Sequence, residues 1–99
     1  SGGNKPYGYY AVDGVLMLNP KERPIVEIAF REHDVKHTPL TDICDILYDK
    51  GYRTRKGKRF QPSTIRGILA NRKFYEGQYK YGDTGWVQGV HTPILPLEV

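Results

Sequence analysis

Apolar positions along the chain change their period several times, and each change marks an element. Residues 7–12 (YGYYAV) and 15–18 (VLML) are β-prone runs parted by Asp13-Gly14. Asp-Gly between two such runs predicts a two-residue hairpin, because both central positions of that turn need φ > 0. Asn19-Pro20-Lys21-Glu22 then offers a side-chain cap, a proline for the first helical position and an acid three residues after the cap. That arrangement predicts a helix starting here with a capping box. Its apolar members Ile25, Val26, Ile28, Ala29 and Phe30 fade by Asp34 or Val35, and Pro24 falls where it can distort the first turn. Thr38-Pro39 repeats the cap-plus-proline device, and Leu40, Ile43, Cys44 and Leu47 follow at i, i+3, i+4 and i+7. This clear amphipathic stripe predicts a second helix ending at Gly51.

From Arg53 to Arg59 the chain is polar and basic around Gly57, which reads as a loop or short ribbon. Pro62 suits a first helical position, and Ile65, Ile68 and Leu69 form the inward face of a third helix running to about Asn71. Gln78 to Tyr81 and Trp86 to Gln88 flank Gly82-Asp83-Thr84-Gly85, predicting a second hairpin that braces the helices or acts as a wing. The tail from His91, with Pro93 and Pro96, reads as extended. The sum is an α+β fold: a small three-helix domain with a helix-turn-helix-like core plus two short β-hairpins. Its helix-to-helix connector is longer than the usual three or four residues.

Composition narrows the class. A 99-residue chain with 38% hydrophobic and 26% charged residues fits one folded domain. No apolar run reaches the roughly 18 to 20 residues that span a bilayer, and no leader is evident, so a cytoplasmic location is expected, with no membrane partner. Ser1-Gly2-Gly3, in a chain whose only methionine is Met17, reads as an expression scar on an excised fragment. The expected division is scar or linker over residues 1–5, the domain over 6–95, and the start of a following segment over 96–99. The lone Cys44 makes no internal disulfide and reads as a core residue.

Charge changes the picture more. The formal net charge is +4, yet between Tyr52 and Lys80 nine basic residues face one acid, Glu76, while the rest of the chain is net acidic. Such segregation creates a one-sided field suited to a polyanion. Within this segment the exposed side of the third helix carries Ser63, Gly67 and Ala70, flanked by Thr64 and Arg66: small at its centre, polar or cationic at its margins. A glycine inside a helix costs up to about 1 kcal/mol relative to alanine, which is tolerable where something large packs closely. Double-stranded DNA fits that description, and so does another helix. On the DNA reading, Ser63, Thr64 and Arg66 meet base edges beside Gly67, while Arg53, Arg55, Lys56, Lys58, Arg59, Arg72 and Lys73, with Thr54 among them, meet the phosphates. The competing reading is a protein-docking module whose basic face meets an acidic partner. RNA binding ranks below both, since the tyrosines of the strands read as cross-strand packing.

Other chemistry finds little support. The only serines are Ser1 and Ser63, neither beside a base, so no catalytic residue is expected. Asp42, Asp45 and Asp49 form an exposed ridge opposite the apolar stripe of the second helix, and His33 and His37 lack a third ligand, so no metal, cofactor or small-molecule substrate is expected.

Taken in order, several segments resemble the "recombinase" domain of large serine recombinases: Pro6-Tyr7-Gly8-Tyr9, Asn19-Pro20-Lys21-Glu22, Leu40-Thr41-Asp42-Ile43, the run from Asp49 to Lys58, the run from Ser63 to Asn71, Tyr75-Glu76-Gly77 and His91-Thr92-Pro93-Ile94. The resemblance spans Pro6 to Ile94. Gln61-Pro62 departs from it, standing where a polar cap is usual before the third helix. What the resemblance implies is a non-catalytic DNA-binding module of a bacterial, phage or transposon enzyme. That enzyme cuts and rejoins attachment-site or element-end DNA with a serine held on a separate domain. It also implies a parent protein that self-associates as a dimer or tetramer.

Overall fold

The computed structural model describes residues 5–83 and 85–98. Residues 1–4 of the expected N-terminal linker, Thr84 of the second turn and Val99 lie outside the described residues. Strands β1 (Tyr9–Val12) and β2 (Val15–Leu18) pair antiparallel with Val12 opposite Val15. Asp13 (φ 49°) and Gly14 (φ 79°) supply the two left-handed positions of the predicted turn. Helix α1 (Arg23–Phe30) continues as a π-helical segment, Arg31–Val35. Then come α2 (Leu40–Asp49), α3 (Pro62–Ala70), α4 (Arg72–Tyr75) and the hairpin of β3 (Gln78–Lys80) with β4 (Trp86–Gln88). The α+β class and both hairpins are as expected. The structure adds the fourth short helix, α4.

That helix forms because Asn71 (φ −94°, ψ 26°) interrupts α3 for one residue, after which the chain re-coils with Tyr75 N–H on the Asn71 carbonyl. The re-coiling buries Phe74 and Tyr75. Other expectations are corrected at the helix starts. Helix α1 begins at Arg23, three residues late: Pro24 has no N–H for the Pro20 carbonyl, so residues 20–22 form a turn. Asn19 Oδ1 does accept from the N–H groups of Lys21 and Glu22. The Glu22 carboxylate, however, turns away to Gly8 N–H and Arg55, so the capping box is half made. At α2 the Thr38 hydroxyl donates to Glu32 Oε1 at 2.7 Å instead of capping the helix. In the hairpins, Tyr7 lies in the turn before β1, and Tyr81 lies just past β3.

One core unites these elements. Ile25, Val26, Ala29 and Phe30 of α1 meet Ile43, Cys44 and Leu47 of α2, Phe60 of the connector, and Ile65 and Ile68 of α3, all buried. The ends of the chain close this core. Tyr9, 1% exposed, donates its hydroxyl to the Thr92 carbonyl, and Tyr75 donates to the Tyr7 carbonyl at 2.7 Å. Burial pushes the Tyr9 hydroxyl up to about 12 against the opposing pull of Arg23, and drives Tyr75 upward too, so both stay protonated donors. The N–H groups of Ile94 and Leu95 both donate to the Tyr75 carbonyl, and the His91 ring stacks on Phe74 at 4.1 Å while Nε2 donates to the Phe74 carbonyl. Gly8 (φ 97°) admits this closure: a Cβ there would sit 2.8 Å from Ile94 Cδ1.

Candidate nucleic-acid interface

The basic loop starts from a tightly specified helix end. Gly51 (φ 93°) donates to the Tyr48 carbonyl and Tyr52 N–H to the Leu47 carbonyl, a Schellman closure of α2. Thr54 then folds the loop on itself: its N–H donates to the Lys58 carbonyl, its carbonyl accepts from Gly57 N–H, and its hydroxyl accepts from Lys58 N–H at 3.0 Å. Lys56 therefore stands at the tip of a closed turn, and buried Phe60 anchors the loop's far end, its ring 5.4 Å from that of Tyr7.

The arginines of this loop are committed to the protein. Arg55 forks onto Glu22 with two 2.7 Å bonds, donates to the carbonyls of Lys5 and Pro6, and covers the Tyr7 ring. Burial alone would raise the Glu22 carboxyl, but the Arg55 guanidinium and Gly8 N–H outweigh it and hold the acid below its usual range. Arg53 and Arg59 lie over the Tyr48 ring at 3.7 and 4.1 Å; Arg53 donates to the Tyr48 and Tyr52 carbonyls, and Arg59 to Asp45 at 2.6 Å. Farther on, Arg72 forks onto Asp34 at 2.7 and 2.8 Å. The Arg72 hydrogen bonds bring the Asp34 carboxyl down to about 2, although burial opposes them. Of the seven basic side chains expected on phosphates, Arg53, Arg55, Arg59 and Arg72 are thus engaged within the protein. Among the described residues the side chains of Lys56, Lys58, Arg66 and Lys73 are exposed and have no hydrogen-bond or ion-pair partner.

Helix α3 stands beside this loop. Ile65 and Ile68 hold it to the core, leaving Ser63, Arg66, Gly67 and Ala70 exposed. A Cβ at Gly67 would meet nothing within 4 Å, so among the described residues none packs against this position. Two clefts flank the helix. One of about 550 Å³ runs between Thr64 and Gly67 of α3, with Asn71 at its end, and Lys5, Tyr7, Thr54 and Lys56 opposite. The other, of about 570 Å³, runs along Arg66, Leu69 and Ala70 to His33, His37 and Arg72. At 3.6 residues per turn these two stripes lie on opposite flanks of α3, with Ser63, Gly67 and Ala70 forming the crest between them.

Sequence reasoning missed Glu22, Asp34 and Asp45, whose partners lie 33, 38 and 14 residues away. The local signal was present only for Asp45, which sits on the ridge of the second helix that faces the loop.

The α+β domain thus presents one helix as an open crest between two clefts, with Arg66 on one flank and Lys56 across the other. The chain belongs to the Recombinase family, whose match covers residues 20–98. Its fold is similar to that in a crystal structure of an LSR–DNA complex (TM-score 0.76, 22% identity, 96% of this chain and 29% of the other). It is also similar to a structure solved for the sequence requirements of the Listeria innocua prophage attP site (TM-score 0.72, 24% identity, 90% of this chain and 36% of the other). The chain thus spans about a third of the length of these solved proteins. No curated protein sequence matches it.

Proposed function

We propose that this domain is a double-stranded-DNA-binding module of a large serine site-specific recombinase, recognising attachment-site or element-end DNA and carrying no catalytic residue itself. One observation carries the reading: the α3 crest at Gly67 is open to solvent, with the unpartnered Arg66 beside it on the helix and Lys56 across the adjoining cleft. An α-helix about 10–12 Å across fits a major groove about 12 Å wide, and the absent side chain at Gly67 lets the helix backbone approach the base edges. In that pose Arg66, Ser63 and Thr64 face bases, while Lys56, Lys58 and Lys73 face phosphates. Arg53, Arg55, Arg59 and Arg72 hold the surrounding backbone and add to the field. The domain matches a third of its solved relatives, and the DNA complex among them supports the same partner here. The nucleophile and self-association would belong to the parent protein, acting in a bacterial or phage-infected cytoplasm.

Titrating the 99-residue chain into a 30-base-pair duplex at several salt concentrations tests this. Each phosphate neutralised contributes about −0.9 to the slope of log K against log salt. A slope of −3 or steeper is expected; a flat line would point to protein docking.

A further inference from the structure

Of the charged and titratable side chains lining the cleft on the far flank of α3, the scheme above uses Arg66 and Arg72 but neither histidine. Arg66 enters from α3, Arg72 from α4, His33 from the π segment and His37 from the connector before α2, over a floor that includes Leu40 and Leu69. No acidic side chain lines it. The acids nearest in the chain are already engaged: Asp34 by Arg72 and His33, and Glu32 by Thr38 and Lys36. His37 is exposed and, among the described residues, has no hydrogen-bond partner. Its backbone is fixed in the left-handed region (φ 58°), bracketed by Lys36 N–H on the Arg31 carbonyl and Thr38 N–H on the Glu32 carbonyl. A non-glycine residue held there is uncommon, and such positions cluster at ligand-binding sites.

We infer that this cleft is a second phosphodiester subsite, in which His37, beside Arg72, holds the backbone of one DNA strand while Lys56 and its neighbours hold the other. The inference rests on the reading that α3 enters the major groove. A helix seated there has a sugar–phosphate wall on each side, so a domain that grips the duplex needs a donor set on both flanks. The basic loop supplies one. An imidazole N–H supplies a donor to a phosphate oxygen on the other, beside the unpaired Arg66 and the standing charge of Arg72.

A charge series at position 37 tests it with a random 30-base-pair duplex and the 99-residue chain. Val90, 98% exposed and lining a different cleft between the two hairpins, serves as the remote control. His37→Arg is expected to tighten binding and steepen the salt slope by about 0.9, one further phosphate neutralised. His37→Glu is expected to weaken binding about tenfold and His37→Ala about threefold, with unchanged thermal unfolding. Val90→Arg and Val90→Glu shift binding by less than about twofold, because screening confines their effect to within a Debye length. Equal responses at positions 37 and 90 would overturn the second subsite while leaving the α3 reading intact, provided Lys56→Ala still weakens binding. If Lys56→Ala and the position-37 series all leave affinity unchanged, the α3 reading itself fails.

Discussion

In the loop between α2 and α3, Arg53, Arg55 and Arg59 turn their guanidinium groups onto backbone carbonyls, carboxylates and tyrosine rings. A few residues later, Arg66 projects from α3 with no partner, next to a glycine whose missing side chain leaves open space. The loop carries five basic side chains from Arg53 to Arg59 and α3 only Arg66, and the difference in how they are held shows what each charge is for. Loop arginines fix a shape that places Lys56 and Lys58 at its edge; α3 presents a cation and a bare backbone to whatever arrives. Planar guanidinium forks suit the first task because several fixed donors can be satisfied at once.

The contrast is sharpened most by comparing loss of stability with loss of binding. Glu22→Ala removes the carboxylate that takes two of the Arg55 bonds and the acceptor of Gly8 N–H, and is expected to lower unfolding free energy by about 1–3 kcal/mol in urea titrations. Arg66→Ala should leave stability within about 0.5 kcal/mol while weakening specific-duplex affinity by about 1–3 kcal/mol. If Arg66→Ala instead destabilises as Glu22→Ala does, the distinction between the regions collapses. Gly67→Ala tests the crest in the opposite direction. With space for its Cβ and an ordinary helical backbone, it should stabilise the domain by about 0.4–1 kcal/mol, whereas Gly67→Leu should block duplex binding without unfolding the chain.

Smaller effects come from the ion pairs. Asp45→Asn frees Arg59 from an exposed pair, so stability should move by less than about 0.5 kcal/mol while duplex affinity rises about twofold. Asp34 has its folded-state carboxyl depressed to about 2. Its contribution is therefore complete above the unfolded-state value near 4 and is lost as pH falls toward 2. Because Arg72 is 41% exposed, screening limits this to a few tenths of a kcal/mol. Asp34→Asn should flatten the acid limb of the stability curve by that amount.

What the sequence showed followed the range of the interaction. Asp13-Gly14 and the stripe Leu40, Ile43, Cys44 and Leu47 are local patterns, and they formed as read. The exposed face of α3 was legible for the same reason. Helix α4 was not, because Asn71-Arg72-Lys73 looks like a polar terminus until Phe74 and Tyr75 are seen to need burial. Nor could charge counting separate a tethered arginine from a free one when the carboxylates that tether Arg55 and Arg72 lie more than thirty residues upstream.

The seal between the chain's two ends has a consequence for biosynthesis. Tyr9 depends on Thr92 and His91, 83 and 82 positions later, and Gly8 is covered by Ile94. A ribosome emits residues at about 5–20 per second, so the hairpin leaves the exit tunnel seconds before the segment that completes its burial. During that interval the nascent chain holds Tyr9 and the side of α1 it packs on as open apolar surface, and only the arrival of residues 91–95 lets the whole unit close at once.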